Sequence, residues 1–181
     1  FWDVQTSGQM TDGSGIGLMT FQMMDAVVFA AHGWDQDANW VMDNGRDYPR
    51  LVWEGTTDSP ITGQPSDRFE GSGSPRDPYH IGTAEQFALI GLVPSLSEGH
   101  FVLDTDLDLT GMLLQPIDSF NGFFHGNRHV LRHLTVQIGG TSTAAVEFSG
   151  AVFGTIGPGG RVSCLGLEGA SIVVRTVVAA G

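Results

Sequence analysis

Lysine is absent from this sequence, so its positive charge rests on eight scattered arginines against 20 aspartates and glutamates, a net charge of -12 over 181 residues. Binding to nucleic acid needs a clustered basic surface that neutralises phosphates, and anionic membranes need the same, so both are excluded as partners. Long apolar runs are also missing. The longest covers residues 26–31, far short of the roughly 20 residues of a helical bilayer span, so no membrane insertion is expected. Cys164 is the single cysteine, which excludes an internal disulfide or a multi-cysteine metal site and leaves the redox compartment open. No H-E-x-x-H occurs, the Walker phosphate loop lacks its lysine, and no N-x-S/T acceptor is present. No charged-then-apolar leader follows Phe1, an absence without meaning in a chain that does not begin with Met.

What the chain has in quantity is glycine, 26 residues, as expected of short strands joined by many tight turns. Its length suits one domain or one and a half. Residues 1–54 hold all four tryptophans, Trp2, Trp34, Trp40 and Trp53, and five of the six methionines, so composition shifts sharply beyond them. Within this block Thr20 is expected to cap a helix with Phe21, Met24, Val28 and Ala31 at helical spacing, ending before Gly33. Trp40, Val41, Leu51, Val52 and Trp53 read as short strands around an Asn44-Gly45 turn. Residues 55–68 are Gly, Thr, Ser, Pro and Asp with little that is apolar, the composition of a linker.

A second module is expected over residues 69–181. Thr83-Ala84-Glu85-Gln86 fits a capping box, which starts a short helix to about Ile90, one-sided like a lid over a hydrophobic stack. Beyond it the period becomes two: Phe101, Leu103, Leu107 and Leu109 alternate with Val102, Asp104, Asp106 and Asp108. Leu131-x-x-Leu134-x-Val136 returns as Val162-x-x-Leu165-x-Leu167, each copy after a glycine-rich turn, at 122–127 and at 154–160. Short strands on a repeat, with no room for crossover helices, predict coils stacked on one another, with a β-sandwich as the alternative. Residues 173–181 end without a cap, so the last rung is expected to be exposed and unstable.

At these residues the sequence resembles the glycine-rich GLUG repeat proteins, long surface proteins of planctomycete-like bacteria. Phe1-Trp2-Asp3, Gly15-x-Gly17-Leu18-x-Thr20, Gly33-Trp34-Asp35 and Tyr48-Pro49-x-Leu51-x-Trp53 resemble the block that closes one array. Gly71-x-Gly73-x-Pro75-x-Asp77-Pro78-Tyr79-x-Ile81 and Asp104-x-Asp106-Leu107-Asp108-Leu109 resemble the block that opens the next, and Phe124-His125-Gly126-Asn127-x-His129 and Val152-Phe153-Gly154 resemble the repeats. Ala151-Val152 departs from the usual Gly-Leu, and His125 from a common Asp. The resemblance implies an all-β, right-handed parallel β-helix (solenoid) with a short capping helix, preceded by a small α+β end-cap segment. Residues 1–54 are then the end-cap block of a preceding array, 55–68 the linker, and 69–181 the start of a β-helix truncated at its C-terminus. It also implies a fragment of a larger bacterial protein, secreted or displayed at the cell surface, that serves as stalk, adhesin-like segment or scaffold. Its partners would be neighbouring arrays of the same parent chain and cell-surface glycans or proteins. GLUG repeats also occur in some IgA-cleaving metallopeptidases, outside the catalytic part, and no peptidase activity carries over.

The candidate ligand residues are Asp104, Asp106 and Asp108, read as one strand face with neighbours roughly 6 to 7 Å apart, whose repulsion a Ca²⁺ ion or an arginine would relieve. Ca²⁺ is the one cofactor considered, against a plain solvated face; the twelve-residue calcium loop fits neither here nor at Asp35-x-Asp37-x-Asn39, which reads as a turn. Carboxylates about 5 to 9 Å apart also serve as acid and base on a sugar, so the alternative to a scaffold is a polysaccharide lyase, a glycoside hydrolase or a glycan-binding module. No catalytic residue is assigned. Trp34 and Trp40, with Tyr48 and Trp53, form either a sugar-stacking platform or the core of a small cap. His125, His129 and His133 recur every four residues but fall on a strand and turn, which suits surface histidines better than a zinc site. Cys164 reads as a small buried thiol.

Overall fold

The computed structural model describes residues 1–8, 15–140 and 151–176. The backbone divides into two compact units, Phe1–Asp67 and Arg68–Gly181.

The first unit is organised by local caps. Strand β1 (Trp2–Asp3) pairs in parallel with β2 (Gly17–Leu18), and between them runs α1 (Val4–Ser7). Asp3, buried, ties these pieces together: one carboxylate oxygen accepts from the Gln5 and Thr6 amides at 2.7 and 3.1 Å, the other from the Thr20 and Tyr48 hydroxyls at 2.7 and 2.8 Å. The helix expected after Thr20 is two helices, α2 (Thr20–Met23) and α3 (Ala26–Ala30). Asp25 interrupts the run by capping α3 through the Val27 amide at 3.0 Å, and Gln22, not Thr20, satisfies the start of α2 by accepting from the Met19 amide at 2.8 Å. Thr20 spends its hydroxyl on Asp3. Strand β3 (Trp40–Met42) sits between β4 (Arg50–Leu51) and β5 (Ser59–Pro60), antiparallel to both. Val52–Glu54 turns into a 3₁₀ helix rather than continuing the strand. Of the stretch read as a linker, Ser59–Pro60 belongs to this sheet and Ile61 is buried.

In the second unit the strand pairs are parallel. Strand β6 (Tyr79–Ile81) leads into α4 (Ala84–Leu92), whose start is the expected capping box: the Gln86 amide donates to the Thr83 hydroxyl at 3.2 Å and the Thr83 amide to the Gln86 side chain at 3.1 Å. Next come β7 (His100–Leu103), β8 (Leu107–Asp108) and β9 (Ile117–Phe120), then β10 (Phe123–His125), β11 (Val130–Arg132) and β12 (Thr135–Gly140). The last are β13 (Phe153–Ile156), β14 (Arg161–Ser163), β15 (Gly166–Glu168) and β16 (Ser171–Thr176). Each pass of the chain adds a strand to ladders running β6-β7-β10-β14, β8-β11-β15, β9-β13 and β12-β16. Apolar residues therefore stack in columns: Phe101, Phe124 and Val162 in one, Leu107, Leu131 and Leu167 in another.

Several expectations are corrected here. The chain is not an all-β, single parallel β-helix: it is mixed α/β, with eight helical segments and six small sheets among the described residues, one of the sheets antiparallel. The cause is local. Capped segments close into helices, and strands of two to six residues broken by corners pair as separate narrow ladders. The repeat is also out of phase with the expected one. Leu131 aligns with Leu167, not Val162, and Val162 aligns with Phe124. A period of two matches itself at many shifts, so corner length, not the apolar pattern, decides the register. Of the terminal stretch expected to be exposed, residues 177–181 lie outside the described residues.

Helix α4 lies close to the segment before β9, and Gly91 makes this approach possible: a Cβ there would stand 2.4 Å from the Gln115 carbonyl oxygen. Gly91→Val is expected to force the helix away and destabilise the second unit by about 1 to 3 kcal/mol. Leu131→Ala, which empties a fully buried position between two neighbours, is expected to cost about 2 to 5 kcal/mol in denaturant unfolding. A cost below that of an exposed substitution at either position would contradict this packing.

Candidate functional site

The alternation that buries Phe101, Leu103, Leu107 and Leu109 turns the intervening aspartates outward. They do not share one straight strand. The chain bends after β7, so Asp104 and Asp106 lie in the bend and Asp108 ends β8. Each carboxylate meets a histidine from a neighbouring pass: His80 Nδ1 donates to both oxygens of Asp104 at 3.0 and 3.1 Å, His129 to Asp106 at 3.1 Å, and His133 to Asp108 at 2.9 Å. The partners are 24, 23 and 25 residues apart, close to one pass of the chain.

Asp106 carries the heaviest load. It accepts from the Val130 amide at 3.1 Å, from His129, and from the Arg132 guanidinium at 2.9 Å, and these bonds hold its carboxyl below the ordinary value. Arg132 reaches on to Glu168 at 3.0 Å, so one guanidinium spans a carboxylate of the bend before β8 and one of β15, the strands on either side of its own. Asp108 accepts from the Thr110 hydroxyl at 2.6 Å, from His133, and from the Thr110 amide at 3.0 Å, which together bring it down to about 2. The groups are between about a third and two-thirds exposed, so each pair alone is weak and screened by salt. An arginine, one of the two ways expected to relieve the repulsion, does so at Asp106, and histidines meet all three carboxylates.

The histidine pairing is what the linear sequence concealed. His129 and His133 stand at the two ends of β11 because the chain needs a corner on either side, and His133 itself takes a left-handed backbone, φ 54°. His125 is separate: its Nδ1 accepts from the Asn127 amide at 3.2 Å within a turn. Among the described residues, no group of three or more His, Cys, Asp or Glu side chains is arranged for a metal ion.

Trp34 and Trp40 come together in the first unit, their rings 4.6 Å apart at 41°. Trp34 adjoins Phe29, which is buried, and Phe1, and both indoles are half-buried. Trp53 stands 78% exposed in the 3₁₀ helix, and Tyr48 is engaged with Asp3. Asp37 accepts from the Asn39 amide and side chain at 3.0 and 2.7 Å, a turn as expected. Cys164, expected buried, is exposed: it occupies the corner between β14 and β15 with φ 55°, where the chain leaves the strand. Comparison of the chain with family models, curated proteins and solved structures gives no match.

The depressed carboxyls have a signed consequence. A carboxylate whose folded value lies below its unfolded one, near 3.8, stabilises the fold above that value, and the contribution is lost as pH falls toward about 2 for Asp108. Thermal unfolding of the second unit is expected to weaken between about pH 4 and pH 2, and Asp108→Asn to flatten that slope. An unchanged slope in the variant would remove Asp108 from the account.

Proposed function

We propose that the chain is a non-enzymatic structural segment, a stalk, adhesin-like element or scaffold of a secreted or surface-displayed bacterial protein. The observation that carries this reading is the use made of Asp104, Asp106 and Asp108. Their oxygens accept from histidines of neighbouring passes, and Asp106 also from Arg132, so they brace one layer of chain to the next. A general acid or base must keep a proton site free for substrate, and carboxyls held low by several donors are poor acids near neutral pH. The resemblance to GLUG repeat proteins supports the same role, with neighbouring arrays of the parent chain and cell-surface glycans or proteins as partners.

A glycan-binding role has one observation in its favour: the indole of Trp53, open to solvent beside the exposed Val52, offers the apolar face on which sugars stack. Trp34 and Trp40 offer less, since each spends a face on the other.

The purified chain, screened against plant and algal polysaccharides with and without Ca²⁺, is expected to cleave none of them. Asp106→Asn is expected instead to lower the melting temperature of the second unit. Cleavage that disappears in Asp106→Asn would overturn the scaffold reading in favour of a lyase or hydrolase. Retention on a glycan array that disappears in Trp53→Ala would move the role to glycan binding.

A further inference from the structure

The outward face of the ladder β6-β7-β10-β14 differs from the rest of the second unit's surface. Phe101, Phe124 and Val162 share the inward column, so alternation turns two rows of their neighbours outward: His100, Phe123 and Arg161 in one, His80, Val102, His125 and Ser163 in the other. Neither row holds an aspartate or glutamate, in a chain with 20 of them. The acids of these passes fall beyond the face: Glu98 in the 3₁₀ helix before β7, Asp104 and Asp106 in the bend after it, Asp108 on β8, Asp118 on β9 and Glu168 on β15. Three of the six histidines stand on it instead.

These side chains gather around one ring. Phe123, half-buried, has the Arg161 guanidinium over it at 5.5 Å from its centre, and the rings of His100 and His125 each at 6.0 Å. The cation–π contact holds a long, flexible side chain against the sheet. His125 is oriented by the Asn127 amide: a ring that accepts at Nδ1 carries its proton on Nε2, so the nitrogen left over is a donor. His80, at the edge of the face, is spent on Asp104, whereas His100 has no hydrogen bond to its ring among the described residues.

We propose that this face binds a cell-surface glycan through a single carboxylate, that of a uronate set among neutral sugars. The guanidinium supplies the planar pair of donors that fits a carboxylate, the imidazoles donate to sugar hydroxyls, and Phe123 with Val102 offers apolar ground for the C–H face of the pyranose. A polyanion fits less well, since one guanidinium must act against the net charge of -12 carried by the whole chain. The proposal takes its class of partner from the scaffold reading, on which it rests, and narrows it to an acidic sugar.

Titration calorimetry of the full chain with a trisaccharide that carries one glucuronate between two neutral sugars is expected to show binding. The same trisaccharide with its carboxyl reduced to the alcohol is expected to bind at least roughly tenfold more weakly. Arg161→Leu is expected to cost the acidic trisaccharide a similar factor, with circular dichroism and thermal unfolding unchanged, since that side chain is exposed. Arg161→Lys, which keeps the charge but not the fork, is expected to restore part of the loss, and Trp53→Ala, in the other unit, to change nothing. Polygalacturonate is expected to bind no more tightly per uronate than the trisaccharide. Failure to bind, equal binding of the reduced sugar, binding unchanged in Arg161→Leu or lost in Trp53→Ala, or tighter binding of polygalacturonate would overturn the proposal. A chain that ignores the acidic trisaccharide leaves the scaffold reading in place, whereas cleavage abolished in Asp106→Asn ends that reading whatever binds here, so the two fail separately.

Discussion

The second unit depends on parallel register. Once Phe101 aligns with Phe124 and Leu107 with Leu131, each new strand must put an apolar side chain above the last one. Backbone bonds fix the spacing, and burial of whole columns offsets the entropy of ordering such short strands. No single pass encloses a core of its own, so stability comes from neighbours. The closing helix and the close approach at Gly91 both follow from that one requirement.

The outer surface answers a different need. Parallel stacking sets like residues near one another, and a chain with 20 acidic residues against eight arginines risks piling negative charge along a ladder. Here histidines from adjoining passes are interleaved with the aspartates, and Arg132 lies between Asp106 and Glu168. The acidic surface is thereby kept compatible with close layering, without lysine.

How much of this was legible in the sequence depends on range. The capping box at Thr83 and Gln86 and the burial of Phe101, Leu103, Leu107 and Leu109 involve residues a few positions apart, and both could be read directly. Asp25 was harder: an aspartate within an apolar run reads as a tolerated helix residue until its side chain is seen to cap α3. The pairs between Asp106 and His129 and between Asp108 and His133 were out of reach, because recognising them requires the length of one pass, and that length is set by corners of irregular size. The all-β expectation failed for a related reason. It allowed for a capping helix and a small α+β end-cap, but not for short 3₁₀ segments such as Val52–Glu54, read as strand, and Pro94–Glu98, which local turns decide.

The corners themselves explain that irregularity. Two residues separate β14 from β15, where four separate β10 from β11, so the offset between paired residues drops from 38 at Phe123 and Arg161 to 36 at Val130 and Gly166. The interior does not register the change, since the ladders realign on either side of it. Between these two passes a difference of two residues is taken up within the corner, while the strands on either side keep their pairing. The corner is thus where the length of a pass can differ while the columns Phe101, Phe124, Val162 and Leu107, Leu131, Leu167 stay aligned.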